Sequence, residues 1–315
     1  MCIRDRAKAN EDFKGKITLS GTQISPFANF PYISIDLQDF QVFETKKTSE
    51  KPIISIKDVY VGFDLYTIIN GQFVIKTIKL SNGKCNIIQY QNNTFNIVKA
   101  FEPEKEVADL EEEFHADLQK ISLQNIDILK TNLADTLTLE AFIETAETHF
   151  NKNETHIKMG LDSKFIFNVI KGSDTTFIKN KHFELATDFS FHKKTHILNF
   201  EPSTVQLENG LFAMEGSVDV DDDFNIDLSF SGKKPNFDLL IAFAPEDLIS
   251  TLEKFDNQGE IFFSSTIKGK TVNGNLPAVE AKFGCKNGFF DNTITHKKLC
   301  LLYTSPSPRD RTRPR

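Results

Sequence analysis

The chain contains no tryptophan, and between Ala7 and Leu299 it contains no arginine. It has 4 cysteines, of which Cys2 and Cys300 lie in the terminal strings. The other two, Cys85 and Cys285, are far apart and show neither CxxC nor Cys/His spacing. One disulfide between them is possible, and the count decides nothing about redox compartment. Long apolar runs are also missing. The longest, Leu239–Ala244, is far short of a bilayer span. There is no G-x-S-x-G, no Cys/His pair near a nest of glycines and no legible pair of carboxylates. Together these gaps predict a protein that is not an enzyme and that carries no cofactor.

The arginines that do occur mark the ends. Arg4, Arg6, Arg309, Arg311, Arg313 and Arg315 are the full set. A basic segment normally mixes Arg with Lys, so the tails point to a different coding source. Residues 1–6 (MCIRDR) and 300–315 (beginning CLLYTSPSPRD) resemble translated sequencing adapter and are set aside from fold reasoning. The protein is thus expected to continue beyond both ends of the stretch 7–299. Without the six arginines, Asp5 and Asp310, the 37 basic and 44 acidic residues become 31 and 42, a balance of −11. That excess argues against a nucleic-acid partner, which needs clustered Lys and Arg. It also argues against simple electrostatic docking on an anionic membrane.

What is abundant is phenylalanine, 30 residues against 5 tyrosines. Phe has no polar handle, so its ring must be covered by something apolar. The apolar residues recur with period two. Ile33, Ile35 and Leu37 alternate with Ser34, Asp36 and Gln38. Phe183, Leu185, Phe189 and Phe191 alternate with polar residues. So do Phe224, Ile226, Leu228 and Phe230. This alternation predicts antiparallel strands with one wet face. What covers the other face stays open at this point. A second sheet does so in a sandwich or barrel. On an open, curved sheet, an apolar ligand or lipid can do it. For the second case, Phe183, Phe189, Phe191, Phe224, Leu228 and Phe230 are the candidate lipid-contacting residues.

Turn chemistry agrees with strands. Asn82-Gly83, Asn209-Gly210, Asn273-Gly274 and Asn287-Gly288 suit hairpins or bulges. Asp221–Asp223 and Gly172-Ser173-Asp174 separate other strand pairs. A weak repeat runs through these signals. Residues 78–87 (IKLSNGKCNI) resemble 205–214 (VQLENGLFAM), and 121–128 (ISLQNIDI) is a looser copy. In each, the apolar phase resets by one across the Asn, which reads as strand, turn or bulge, strand. Helix is scarce. Asp64–Asn70 suits one or two turns stopped by Gly71. Pro245–Phe255 has Pro at its first position, acids next and an apolar face. Residues 102–113 (EPEKEVADLEEE) are expected to be an acidic linker between a module at 7–101 and another at 114–299.

Several constellations imitate chemical motifs. Asp219, Asp221 and Asp223 open like a calcium loop, but Phe224 and Phe230 stand where Gly and Glu are required. Gly269-Lys270-Thr271 ends like a phosphate loop, yet Ser264 replaces the leading Gly and no helix pattern follows. His182, His192 and His196 share a strand-rich region. Strand residues four apart lie roughly 13 Å from each other, too far to share a metal ion. No metal site is expected. Asn92-Asn93-Thr94 and Asn153-Glu154-Thr155 match glycosylation sequons by chance in an Asn-rich chain.

Residues 28–42 (ANFPYISIDLQDFQV) and 52–97 resemble the AsmA family of Gram-negative envelope proteins. The carrying features are a Phe-Pro opening a strand, a short helix ending in Gly, and strands joined through Leu-x-Asn-Gly. Residues 205–233, the short helices at 238–255 and residues 259–290 resemble the later part of the same family. The family often has an aromatic residue after the Asn that closes its first module. Here Asn96 is followed by Ile97. The resemblance implies a mainly β fold with an extended, curved sheet forming an open groove, and a few short helices. It implies an N-terminal helix outside this sequence, anchored in the inner membrane, with the chain on the periplasmic side. Outer-membrane assembly and lipid homeostasis are the implied roles, with a phospholipid or other acyl lipid as partner. Such proteins are similar to the TamB-like and bridge-like lipid transfer proteins, whose sheets form an apolar groove. The alternative is a structural or adhesin-like β-sandwich binding module.

Overall fold

In the computed structural model the alternating segments are strands. It describes residue 10 and residues 13–29, 32–46, 51–70, 74–103, 116–134, 136–172, 174–175, 178–234, 237–244, 246–257, 259–271, 277–295 and 297–301. The chain opens with β1 (Lys16–Thr18), β2 (Gly21–Asn29), β3 (Tyr32–Phe43) and β4 (Ile54–Asp64). Helix α1 (Leu65–Ile69), β5 (Ile75–Gln89) and α2 (Asn96–Phe101) follow. Next come β6 (Ala116–Asn132), β7 (Leu137–Lys152), β8 (His156–Lys171), β9 (Asp174–Thr175) and β10 (Lys181–His192). Then β11 (Ile197–Leu207), β12 (Gly210–Asp219), β13 (Asn225–Lys234), α3 (Asp238–Phe243) and α4 (Glu246–Leu252). The last are β14 (Phe255–Asn257), β15 (Glu260–Gly269), β16 (Ala278–Lys286), β17 (Gly288–Asn292) and β18 (Lys298–Leu301).

Fifteen of these strands form one sheet in the order β1-β3-β4-β5-β6-β7-β8-β10-β11-β12-β13-β15-β16, with β2 beside β3 and β9 beside β8. It is open, not closed into a barrel. The fold is thus mainly β with few short helices, as the alternation requires. A second sheet, β14-β17-β18, has three strands. In β18, Cys300 and Leu301 pair with Phe289 and Gly288, so the strand enters the stretch read as adapter. An edge accepts any extended backbone.

One pairing departs from the expected antiparallel sheet. β5 and β6 are parallel. A parallel partner needs a crossover, not a hairpin. The crossover begins with α2, a helix the sequence reading did not anticipate, and the acidic segment at 104–115 lies outside the described residues. The sheet therefore continues from residues 7–101 into 114–299 without a break in pairing. The two repeat copies meet there in register, Ile78 beside Ile121, Leu80 beside Leu123 and Cys85 beside Ile128.

The Asn at the centre of each copy has left-handed backbone, with φ of 58° at Asn82 and 53° at Asn125. Asp39 on β3 sits at the same level, with φ 48°. These residues drop out of the ladder while the pairs on either side keep theirs. The same-face rule is then i, i+3 across the site, so Leu37 and Phe40, or Leu123 and Ile126, face one way. The line ends at Glu144, a one-residue bulge of β7 against the regular strand β8. A second bulge, at Glu201-Pro202 of β11, places Pro where no ladder N–H is needed. The third repeat copy is a hairpin between β11 and β12, with the positive φ on Glu208 (50°) instead of the Asn. Asn273-Gly274 lies outside the described residues.

The helices close two small cores on one side of the sheet. Asp64 caps α1, its carboxylate accepting from the amides of Tyr66 at 2.8 Å and Thr67 at 3.2 Å. In α2, Ala100 is buried with Val42 and Ile53. Asn96, fully buried, accepts at Oδ1 from the amides of Ile88 (2.9 Å) and Ile97 (2.8 Å) and donates through Nδ2 to Asn86 O (2.8 Å). That side chain pins α2 to β5. At the other end, Leu239 and Ala242 of α3 pack on Leu207, Phe212, Ile261 and Phe263. The helix expected at Pro245–Phe255 is shorter, because Phe255 already belongs to β14; Pro245 lies outside the described residues.

Candidate functional site

The registers carry one apolar row across the sheet. Leu37, Val59, Leu80, Leu123 and Ala146 stand side by side on β3 to β7, with Ser163 next on β8. The row goes on through Leu185, Val205 and Phe212 on β10 to β12. Phe212 packs over Gly232, and Phe263 and Phe283 complete it on β15 and β16. Twelve strands thus contribute to a single line broken only by a Ser and a Gly. A parallel row on the same face runs Phe150, Met159, Phe189, Phe200, Gly216, Leu228, Ile267 and Val279. Directly opposed side chains in neighbouring strands share a face and pack.

Of the six candidate residues, five lie on this face. Phe183, Phe189 and Phe191 line β10, and Leu228 and Phe230 line β13. Phe189 and Leu228 share the second row. Phe183 stacks on Phe165 with centroids 5.1 Å apart, and Phe189 meets Phe200 edge-on at 4.8 Å. Phe224 is elsewhere. It precedes β13 in the turn, at φ 49°, with its ring 48% exposed. Alternation counted along the chain placed it on the strand, but two successive left-handed residues, Asp223 and Phe224, take it off the pleat. The sequence reading also missed Leu123, Phe165, Met159 and Phe200. Each alternates correctly, and only the register shows that they join the chosen residues.

The face is partly covered. Helix α2 lies over its β3–β5 end, and α3 over β12, β13 and β15. Between them, over β6–β8, Leu123, Leu139, Ile143, Phe165 and Phe167 are only half-buried. Lys181 is a buried cation on this face, 4% exposed, in line with Ile128, Ala141 and Phe167; Lys130, beside Ile87 and Leu139, is a second, half-buried one. Lys181 Nζ donates to the carbonyl of Ala244 at 2.8 Å, the C-terminal end of α3, where a cation is favoured. Burial pushes the Cys85 thiol, also on this face, above its ordinary value.

The opposite face is more polar, although Phe142, Leu211 and Phe262 are exposed on it. It holds a hollow of about 840 Å³ bordered by Tyr32, Lys79, Lys120, Glu147, Lys164 and Glu184. Its charges are matched across strands, Lys120 with Glu147 at 2.7 Å and Lys164 with Glu184 at 2.9 Å. The two motif imitations meet at one turn. Lys270 bonds Asp222 and reaches Asp223 at 3.5 Å, while the Thr271 amide donates to Asp223 O at 3.2 Å. Hydrogen bonding from Lys270 holds the Asp222 carboxyl below the usual range. The pair is a stapled hairpin tip. His182 and His196 each face a carboxylate, Glu208 and Asp221, and His192 meets His156 edge-on at 4.7 Å. Among the described residues no group of three His, Cys, Asp or Glu is placed to hold a metal ion. None of their helices is long and apolar enough to cross a membrane. Comparison with protein-family models, with curated proteins and with solved structures finds no match.

Proposed function

We propose that this chain is part of an AsmA-like envelope protein that shields or conducts acyl lipid along its apolar sheet face, without catalysing a reaction. On this reading it lies on the periplasmic side of the inner membrane, held by an N-terminal helix outside the sequence, and serves outer-membrane assembly and lipid homeostasis. The observation that carries the proposal is the twelve-strand apolar row, left half-open over β6–β8. An uncovered Leu or Phe forgoes about 1.5–3 kcal/mol of burial. A run of them along an open face suits an apolar ligand. Hydrocarbon chains fit because they need surface and no hydrogen bonds, and these half-buried rings and branched side chains offer no polar group. The sandwich alternative has less support, since the second sheet has only three strands and meets the helical end, where Phe237 stacks on Phe290 at 5.0 Å.

The test is purification from intact cells without detergent, followed by lipid mass spectrometry. The proposal expects an acyl lipid at near-stoichiometric yield. Protein that is lipid-free in repeated preparations overturns it.

A further inference from the structure

At its β16 end the apolar face runs into a pocket. Phe283, the last residue of the twelve-strand row and 43% exposed, is also part of the pocket wall. The rest is built by α3 and α4 (Leu240, Leu252), by the segment entering α3 (Phe237) and by the small sheet (Phe255, Phe290), over a floor of Ile261 and Cys285. The volume is about 430 Å³, within the range of small-ligand sites. No side chain in the wall carries nitrogen or oxygen. Burial keeps the Cys285 thiol above its ordinary pKa, so it behaves as an apolar group. The space depends on Gly288. A Cβ there would stand 2.6 Å from Cys285 Sγ and 3.2 Å from the Phe290 ring.

A lining with no donor or acceptor selects against headgroups, sugars and peptides, whose polar atoms would be stranded. Hydrocarbon has none to strand. The pocket is also continuous, through Phe283, with the face that the lipid reading assigns to acyl chains. We propose that it seats the methyl-terminal segment of one acyl chain, whose remainder lies along the row. This inference rests on that reading for the path of the chain, but the pocket itself is tested separately.

The absence of tryptophan makes a clean experiment. Leu252→Trp places the single indole in the pocket wall, and Leu123→Trp places it in the middle of the open face. Each variant chain is titrated with 9,10-dibromostearate, which quenches indole on contact. Saturable quenching at 252, with one site per chain, upholds the pocket. Unbrominated fatty acids should displace the probe with affinity falling roughly tenfold for each two carbons removed. Their methyl esters should compete about as well as the acids. Filling the space by Cys285→Phe or Leu240→Phe should weaken quenching at 252 at least tenfold and spare it at 123; the second variant stands in if the first fails to fold. Quenching at 123 alone overturns the pocket and leaves the lipid reading intact. Quenching at 252 alone upholds the pocket and overturns lipid binding over β6–β8; Leu123 on β6 lies eight strand spacings, roughly 38 Å, from β16 and so reports a second probe molecule. Silence at both positions overturns both.

Discussion

Asn125 donates its side-chain amide to Oδ1 of Asn82 at 3.2 Å, across the parallel pair β5–β6, and both residues have left-handed backbone. Asn tolerates that conformation, and a β-branched residue does not. Asn82→Val should therefore cost about 1–3 kcal/mol in denaturant unfolding. Asn82→Gly should cost less, since Gly accepts the same φ. The two Asn are in contact, so the double Val variant should deviate from additivity.

The second prediction concerns the crossover. Asn96→Ala removes three hydrogen bonds from a fully buried side chain and strands the Ile88 amide and the Asn86 carbonyl. It should cost about 2–3 kcal/mol, with amide exchange rising first in α2. Unchanged exchange in residues 96–101 would contradict the pinning role.

How much of this was legible beforehand differs by feature. Alternation at 33–37 and 183–191 located strands, because period two has one structural meaning. The phase reset at Asn82 announced the left-handed residue. Partner choice was not legible. Ile78-x-Leu80 and Ile121-x-Leu123 present the same pattern to a parallel or an antiparallel neighbour. α2 was hidden because Ile97 and Val98 are β-branched and Phe95 offers no side-chain cap; Asn96 and Ala100 hold the helix through tertiary contacts. Phe224 was misplaced because parity along the chain cannot register two left-handed residues in a turn. The pocket was invisible, since its wall is gathered from 237 to 290.

Acid should act at the hairpin tip. The Lys270 ammonium hydrogen-bonds Asp222 and lowers its pKa in the folded state. A depressed carboxyl contributes stability above the unfolded value, about 3.9, and loses it as pH falls through the folded pKa. The pair is exposed, so the site is best followed by carboxyl NMR titration. Lys270→Met should move the Asp222 midpoint up toward the ordinary value. An unmoved midpoint would refute the assigned cause.

Gly216 offers a packing test. Its φ is 147°, and a Cβ would stand 2.1 Å from Asp227 O, between Phe200 and Leu228 in the second apolar row. Gly216→Ala should destabilise by about 2–4 kcal/mol and split the β12–β13 pairing, seen as lost protection at residues 225–228.

The central claim is that one sheet face meets acyl lipid and the other meets water. Leu123 and Ser122 are adjacent on β6 and point to opposite faces, as do Phe165 and Lys164 on β8. A photo-crosslinking amino acid placed at each of these four positions in living cells reads the claim directly. Lipid adducts should form from 123 and 165 and be absent from 122 and 164. Equal adducts from both faces, or none from either, would contradict it.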